Sequence, residues 1–126
     1  MDSVTALYGG LTALLFAGLS IHVSILRIRL KTSLGDNSDA RVLRAVRAQG
    51  NCAEYIAILF LMLLLAEMTG GNSAVLHVMG GTILATRTFH AIGILGNKHL
   101  ARAMASGFNY VVLVGLPGYV LFLRFT

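Results

Sequence analysis

Charged residues are scarce in this chain of 126 residues: Asp, Glu, Lys and Arg make up 12% of it, about half the share usual in soluble proteins. Hydrophobic residues make up 56%. A soluble domain of this length could not bury so much apolar surface, so the composition predicts an integral membrane protein. The length fits one domain covering residues 1–126.

Cysteine occurs once, as Cys52, which excludes a disulfide within the chain and a metal site made of cysteines alone. Cys52 occupies an apolar helical position. We therefore expect a packed or lipid-facing thiol rather than a nucleophile. We predict no metal site.

Acidic residues are also few, and the net charge is +5. A basic chain can bind nucleic acid, but these cations flank apolar runs and no nucleic-acid-binding signature is present. Membrane topology explains the cations better. We expect contact with membrane lipids and no nucleic-acid partner.

Four apolar runs are long enough to cross a bilayer. We predict helices over residues 4–26, 39–67, 74–95 and 102–122, with Pro117 kinking the fourth. The first run lacks the basic start and the small-residue cleavage site of a signal peptide, so we expect it to be retained. The predicted fold class is all-α, an integral membrane four-helix bundle. Leu59, Leu63, Val111 and Leu113 are expected to face lipid or a lipophilic substrate.

The loops after the first and third helices carry most of the cations, namely Arg27, Arg29, Lys31, Arg41, Lys98 and Arg102. By the positive-inside rule these loops face the cytoplasm. Both termini are then expected on the opposite side of the membrane.

A polar stripe leads into the apolar residues 56–66. On a helix turning about 100° per residue, Arg44, Arg47, Asn51 and Glu54 fall within an arc of about 80°. Ionisable groups at membrane depth are costly and usually functional. A stripe of about three turns suits an extended zwitterionic ligand better than a single ion. For Arg44, a position among the lipid headgroups is as good an explanation as ligand binding. For Asn51 and Glu54, which lie deeper, it is a poor one.

Residues 47–55, Arg-Ala-Gln-Gly-Asn-Cys-Ala-Glu-Tyr, resemble the second-helix signature of the MAPEG family, the membrane-associated proteins of eicosanoid and glutathione metabolism. The version is close to that of leukotriene C4 synthase and of bacterial members similar to microsomal glutathione transferases. The resemblance implies a homotrimer that binds glutathione, and we expect it in the bacterial inner membrane. Because the stripe lies toward the basic loops, the positive-inside rule puts the active site on the cytoplasmic side.

The resemblance also implies roles for individual residues of the second helix. Arg47 would clamp a glutathione carboxylate, for which the guanidinium fork is well shaped. Glu54 would take the ammonium group and Asn51 would bridge to a backbone amide of the ligand. Tyr55 would hydrogen-bond the peptide.

Two further residues are implied to serve a neighbouring subunit's site. Gln49 lies about 200° around the helix from Arg47, so one subunit's site could not use both. Arg27 is implied to reach across the same interface. A helix-packing amide is the alternative reading of Gln49.

On the third helix, Arg87 matches an arginine carried by family members, and His90 lies on the same face. A purely structural ion pair between Arg87 and Glu54 is the alternative, because an unpaired buried charge is costly. His90 and Ile94 stand where leukotriene C4 synthase has tyrosines. Ala57 replaces the family's proline.

Glutathione must lose its thiol proton to react, and a nearby guanidinium favours the thiolate. Arg102 matches the family's activating arginine after a shift of one residue. Ser106, one turn later, is a weaker candidate as a hydrogen-bond donor to sulfur. The alternative for Arg102 is an interfacial charge that sets topology.

We therefore predict a glutathione-dependent membrane enzyme. It would conjugate glutathione to a lipophilic electrophile or reduce lipid hydroperoxides. A small transporter or channel, or a catalytically silent membrane assembly protein, are the alternatives. The stripe on the second helix stops at Glu54 and no similar residue follows before Glu67, which favours a closed site over a path.

Overall fold

The computed structural model describes residues 2–126 and contains four α-helices: α1 (Val4–Arg29), α2 (Ala40–Met68), α3 (Ser73–Leu95) and α4 (His99–Phe125). Each helix is long and apolar enough to cross a membrane. No strand occurs within these residues. The prediction of an all-α chain with four helices capable of spanning a membrane is confirmed.

The middle pair of the bundle is α2 and α3. They pack against each other and each packs against both α1 and α4, whereas the backbones of α1 and α4 do not approach each other closely. The larger core cluster includes Leu59 and Leu63 of α2, Ile83 of α3 and Leu116 of α4, all almost fully enclosed. Leu59 and Leu63 were expected to face lipid, and this was wrong, because their side of α2 faces α3 and α4.

A smaller core cluster lies nearer the start of α2 and consists of Leu19, Ala48, Cys52 and Ala91. Cys52 is 2% exposed, which fits the predicted packed thiol. Many other large apolar side chains remain exposed, among them Leu14 at 71% and Val111 at 68%. Outward-facing apolar side chains are expected where the surrounding solvent is lipid.

The helices α1, α2 and α3 each end in the same type of hydrogen-bonded turn. A residue with positive φ follows the helix, and the next N–H donates to a carbonyl five residues back, as in a Schellman motif. The left-handed residues are Lys31, Gly70 and Asn97, and the bonds run from Thr32 to Arg27, from Gly71 to Ala66 and from Lys98 to Gly93, at 2.9, 2.8 and 2.7 Å. The turn after α3 is so short that α4 begins at His99, three residues before its predicted start.

The first turn of α1 is capped by α2. The Glu67 carboxylate accepts hydrogen bonds from the backbone N–H of Val4 at 2.6 Å and of Thr5 at 3.0 Å, and from the Ser3 hydroxyl at 2.9 Å. The Ser3 hydroxyl in turn accepts from the N–H of Ala6. The N–H groups that an isolated helix would leave unpaired are therefore satisfied at this end.

The start of α2 is capped by Asp39. Its carboxylate accepts from the N–H of Arg41 at 2.8 Å and pairs with the Arg41 guanidinium at 2.8 Å. Hydrogen bonding to Arg41 lowers the pKa of the Asp39 carboxyl to about 2. This ion pair lies at the start of α2.

Candidate functional site

A cavity of about 360 Å³ lies between α2, α3 and α4, at the end of the bundle that carries the α3–α4 turn. It is lined by Leu43, Arg44, Arg47, Asn51, His90, Gly93, Ile94, Asn97, His99 and Arg102. The first half of α2, the last turns of α3 and the first turn of α4 thus each supply side chains.

The cavity is strongly cationic. Its lining residues include three guanidinium groups, from Arg44, Arg47 and Arg102. The imidazoles of His90 and His99 add polar ring nitrogens. None of the lining residues that the structure describes is acidic. Charge of one sign in a cleft with low-dielectric walls concentrates ions of the opposite sign, so this cavity favours an anionic ligand.

From α2, three of the four stripe residues line the cavity: Arg44, Arg47 and Asn51. The adjacent face of α2 carries Ala48 and Cys52, which pack inside the bundle. The helical spacing that the sequence indicates therefore holds for these three. Glu54 is exposed and does not line the cavity.

Arg102 reaches the cavity because α3 and α4 approach closely at Gly93. A Cβ atom at residue 93 would lie 2.8 Å from the backbone nitrogen of Arg102. The Arg102 Nη2 is 3.1 Å from the Nδ1 of His99. Since a guanidinium only donates, Nδ1 is the acceptor in this bond and a neutral His99 carries its proton on Nε2.

Arg87 lies deeper, outside the cavity, and is only 2% exposed. Its Nη1 donates to the Oδ1 of Asn51 at 2.7 Å, and its guanidinium lies 5.0 Å from the ring centroid of Tyr55. Cation–π contact of this kind stabilises a cation that is removed from water. Arg87 thus connects α3 to the middle of the stripe on α2.

The alternative in which Arg87 pairs with Glu54 is wrong within one chain. Among residues 2–126 the one ion pair is that of Arg41 with Asp39. Asn51, rather than Glu54, is the stripe residue that faces α3, and the Tyr55 ring covers the guanidinium. The Nε of Arg87 is buried without a hydrogen-bond partner in the described part of the chain.

The predicted site residues therefore fall into two groups. The structure brings Arg47, Asn51, His90 and Arg102 together around the cavity. Outside the lining lie Arg27, Gln49, Glu54, Tyr55, Arg87 and Ser106. Of these, Arg27 donates to the carbonyl groups of Thr32 and Gly35, at 3.3 and 2.8 Å, in the α1–α2 connection. The roles of Arg27 and Gln49 in a neighbouring subunit's site stay predictions.

Sequence reasoning missed His99, Asn97 and Gly93 as lining residues. The signal for His99 was present, because it stands three residues before Arg102 and shares its face once both are helical. Because the predicted start of α4 was residue 102, His99 was assigned to the loop and its position on the same helix face as Arg102 was not recognised. Gly93 lies one helical turn after His90 and was likewise recognisable from its spacing.

A second, apolar groove of about 650 Å³ runs along the opposite side of the α3–α4 contact. Phe89 of α3 and Met104 and Phe108 of α4 are among its lining residues. It shares no lining residue with the cationic cavity.

Comparison with known proteins gives one family and one kind of relative. The model of the MAPEG family matches residues 5–122. The chain is 37% identical over 106 residues to the inner membrane protein YecN of Escherichia coli strain K12, covering 84% of this chain and 79% of that protein. YecN of the O6:H1 strain gives the same values. No solved structure gives a significant match.

Proposed function

Because this chain belongs to the MAPEG family of membrane proteins, whose members bind glutathione and include glutathione transferases and peroxidases, we propose that it is a glutathione-dependent membrane enzyme. It conjugates glutathione to a lipophilic electrophile or reduces lipid hydroperoxides. The cationic cavity carries this proposal, because it collects Arg47, Asn51, His90 and Arg102 around one space.

The charges of the cavity suit the anionic groups of glutathione. Arg44 and Arg47 stand one helical turn apart on α2, and each guanidinium fork can hold both oxygens of a carboxylate. Arg102 supplies a cation that favours ionisation of the thiol. The thiol proton passes to solvent, and the thiolate sulfur attacks the electrophilic carbon; with an aryl halide a C–S bond forms, the carbon–halogen bond breaks and halide leaves.

The ammonium group of glutathione needs an acidic partner that the cavity lining lacks. Glu54 is the nearest candidate along the stripe, and it is exposed on the outer side of α2. In the proposed homotrimer, contact between subunits would enclose this surface and bring Gln49 and Arg27 of a neighbouring copy to the site. We propose that the site faces the cytoplasm, where the cation-rich connections lie.

The transporter alternative receives less support from the packing. Beyond Asn51 and Arg87, the bundle is filled by Leu59, Leu63 and Ile83, all nearly fully buried. A polar path would have to continue through this apolar cluster. The cavity therefore suits a site that is closed at its inner end.

The test is glutathione binding to the detergent-purified protein, followed by calorimetry and by thiolate absorbance across pH. We expect binding, an apparent thiol pKa below that of free glutathione, and turnover of an aryl halide. Arg102→Ala should keep most of the affinity and lose the pKa shift and the turnover, because the cation acts on the ionised form.

Arg124→Ala is the matched control, since Arg124 is an exposed arginine at the far end of the same helix. It should change none of these quantities. Absence of glutathione binding by the unmodified protein would end the proposal. Binding without turnover would favour the silent assembly protein. If Arg102→Ala lowers affinity and leaves the thiolate fraction unchanged, Arg102 is a carboxylate clamp and Ser106 is the next residue to test.

A further inference from the structure

Asn51 stands at the boundary between the cationic cavity and buried Arg87. It lines the cavity, whereas Arg87 does not. The Arg87 Nη1 lies 2.7 Å from the Asn51 Oδ1 and 3.5 Å from the Asn51 backbone oxygen. The asparagine side chain therefore has one polar atom committed to the bundle interior.

The identity of that atom follows from chemistry. A guanidinium is a hydrogen-bond donor only, and it stays protonated in proteins. The end of the carboxamide that faces Arg87 must therefore be its oxygen. The NH₂ group is then the end available to the cavity that Asn51 lines, and Asn51 makes its side-chain hydrogen bond within residues 2–126 through its oxygen.

The buried position of Arg87 holds the Asn51 carboxamide in this orientation. It is 2% exposed, and the Tyr55 ring lies against its guanidinium. Turning the carboxamide over would place N–H groups against N–H groups beside a buried cation. Leaving a buried donor without its acceptor is unfavourable, so the reversed orientation is rare.

We propose that Arg87 is a positioning residue that fixes Asn51 as a hydrogen-bond donor, so that the cavity selects a ligand with a carboxylate or peptide carbonyl oxygen at that point. This inference rests on the proposed function and narrows it. The α-ammonium of glutathione does not lie against Asn51, whereas a carboxylate or carbonyl oxygen does. Together with Arg44, Arg47 and Arg102, the α2–α4 side of the cavity then offers the ligand donors only.

The discriminating substitution is Asn51→Asp, which keeps the size of the side chain and replaces its donor group by an acceptor. It also gives Arg87 a carboxylate partner. We expect affinity to fall at least tenfold both for glutathione and for glutarate, a dicarboxylate without an ammonium group. The melting temperature without ligand should stay the same or rise.

Two substitutions of Arg87 test whether it acts through Asn51. Arg87→Lys keeps a side chain that only donates, and Arg87→Met removes the donor while keeping a long side chain. We expect the lysine variant to keep ligand affinity within about threefold and the methionine variant to lose at least tenfold. Equal losses in both would mean that Arg87 contributes packing alone, and would overturn the positioning role.

The outcomes separate this inference from the proposed function. If Asn51→Asp binds glutathione as tightly as the unmodified protein, or more tightly, Asn51 accepts from the ligand and the inference is wrong. If the unmodified protein binds glutarate but not glutathione, and Asn51→Asp abolishes that binding, the inference stands and the glutathione proposal fails. If neither ligand binds, both fail.

Discussion

Replacing Gly93 by alanine tests whether the contact between α3 and α4 positions Arg102. The new Cβ atom would lie 2.8 Å from the Arg102 nitrogen and 3.1 Å from its Cα. Both are backbone atoms, so no side chain can rotate away. Ordinary contact begins near 3.4 Å, and the first turn of α4 must therefore move by about 0.6 Å.

Two effects of this change can be compared in size. Overfilling a packed contact typically costs about 1–3 kcal/mol, whereas replacing glycine by alanine inside a helix gains up to about 1 kcal/mol. We expect a net loss of roughly 1–2 kcal/mol of stability. Because the displaced backbone is that of Arg102, its guanidinium also moves relative to Arg47 and His90. Misplacement of about 1 Å can cost about a hundredfold in rate, so we expect turnover to fall about tenfold.

Gly107→Ala on α4 is the matched control, because a Cβ atom there would meet nothing within 4 Å. It should leave turnover unchanged and the melting temperature unchanged or slightly raised. The measurements are melting temperature in detergent, glutathione affinity and turnover for both variants. The reasoning is refuted if Gly93→Ala matches Gly107→Ala in stability and turnover.

Three further predictions concern the acidic residues. Glu67→Gln should lower the free energy of unfolding by about 2 kcal/mol, because two backbone N–H groups of α1 lose a charged acceptor; equilibrium unfolding in detergent measures this, and a loss below about 0.5 kcal/mol would contradict it. Glu54→Gln should leave the melting temperature of the single chain unchanged, since Glu54 is exposed and does not pair with Arg87. Its glutathione affinity should fall. A large drop in melting temperature without a loss of affinity would contradict this prediction. The stabilisation that Asp39 gains from Arg41 should be present above about pH 4 and be lost as the pH falls through about 2, because its folded-state pKa is lowered. The difference in melting temperature between Asp39→Asn and the unmodified protein should be modest at pH 6, since the pair is exposed, and smaller at pH 2; a difference independent of pH would argue against it.

The membrane spans and one wall of the cavity were predictable from the sequence. Unbroken apolar runs fix the helices because the backbone must satisfy its hydrogen bonds internally in lipid. Helical periodicity then places Arg44, Arg47 and Asn51 on one face. These predictions depend only on neighbouring residues, which is why they hold.

Contacts between helices were harder to predict. Which stripe residue meets Arg87 depends on how far α3 is rotated about its axis, and the rotation of a helix is set by packing with its neighbours. A rotation of this kind decides between Asn51 and Glu54, which stand only three residues apart. The start of α4 was predicted three residues too late for a related reason. The left-handed Asn97 ends α3 in a short turn, so α4 begins sooner than it would after a longer loop with a separate cap.

The cap that Glu67 provides to α1 also sets an order for biosynthesis. Val4 and Glu67 are 63 residues apart, and a ribosome adding about 5–20 residues per second needs about 3–13 s to synthesise the segment between them. Throughout that interval the backbone N–H groups of Val4 and Thr5 have no protein acceptor from α2. The first turn of α1 can therefore acquire this cap only after α2 has been made, so the capped start of α1 forms together with the α1–α2 hairpin.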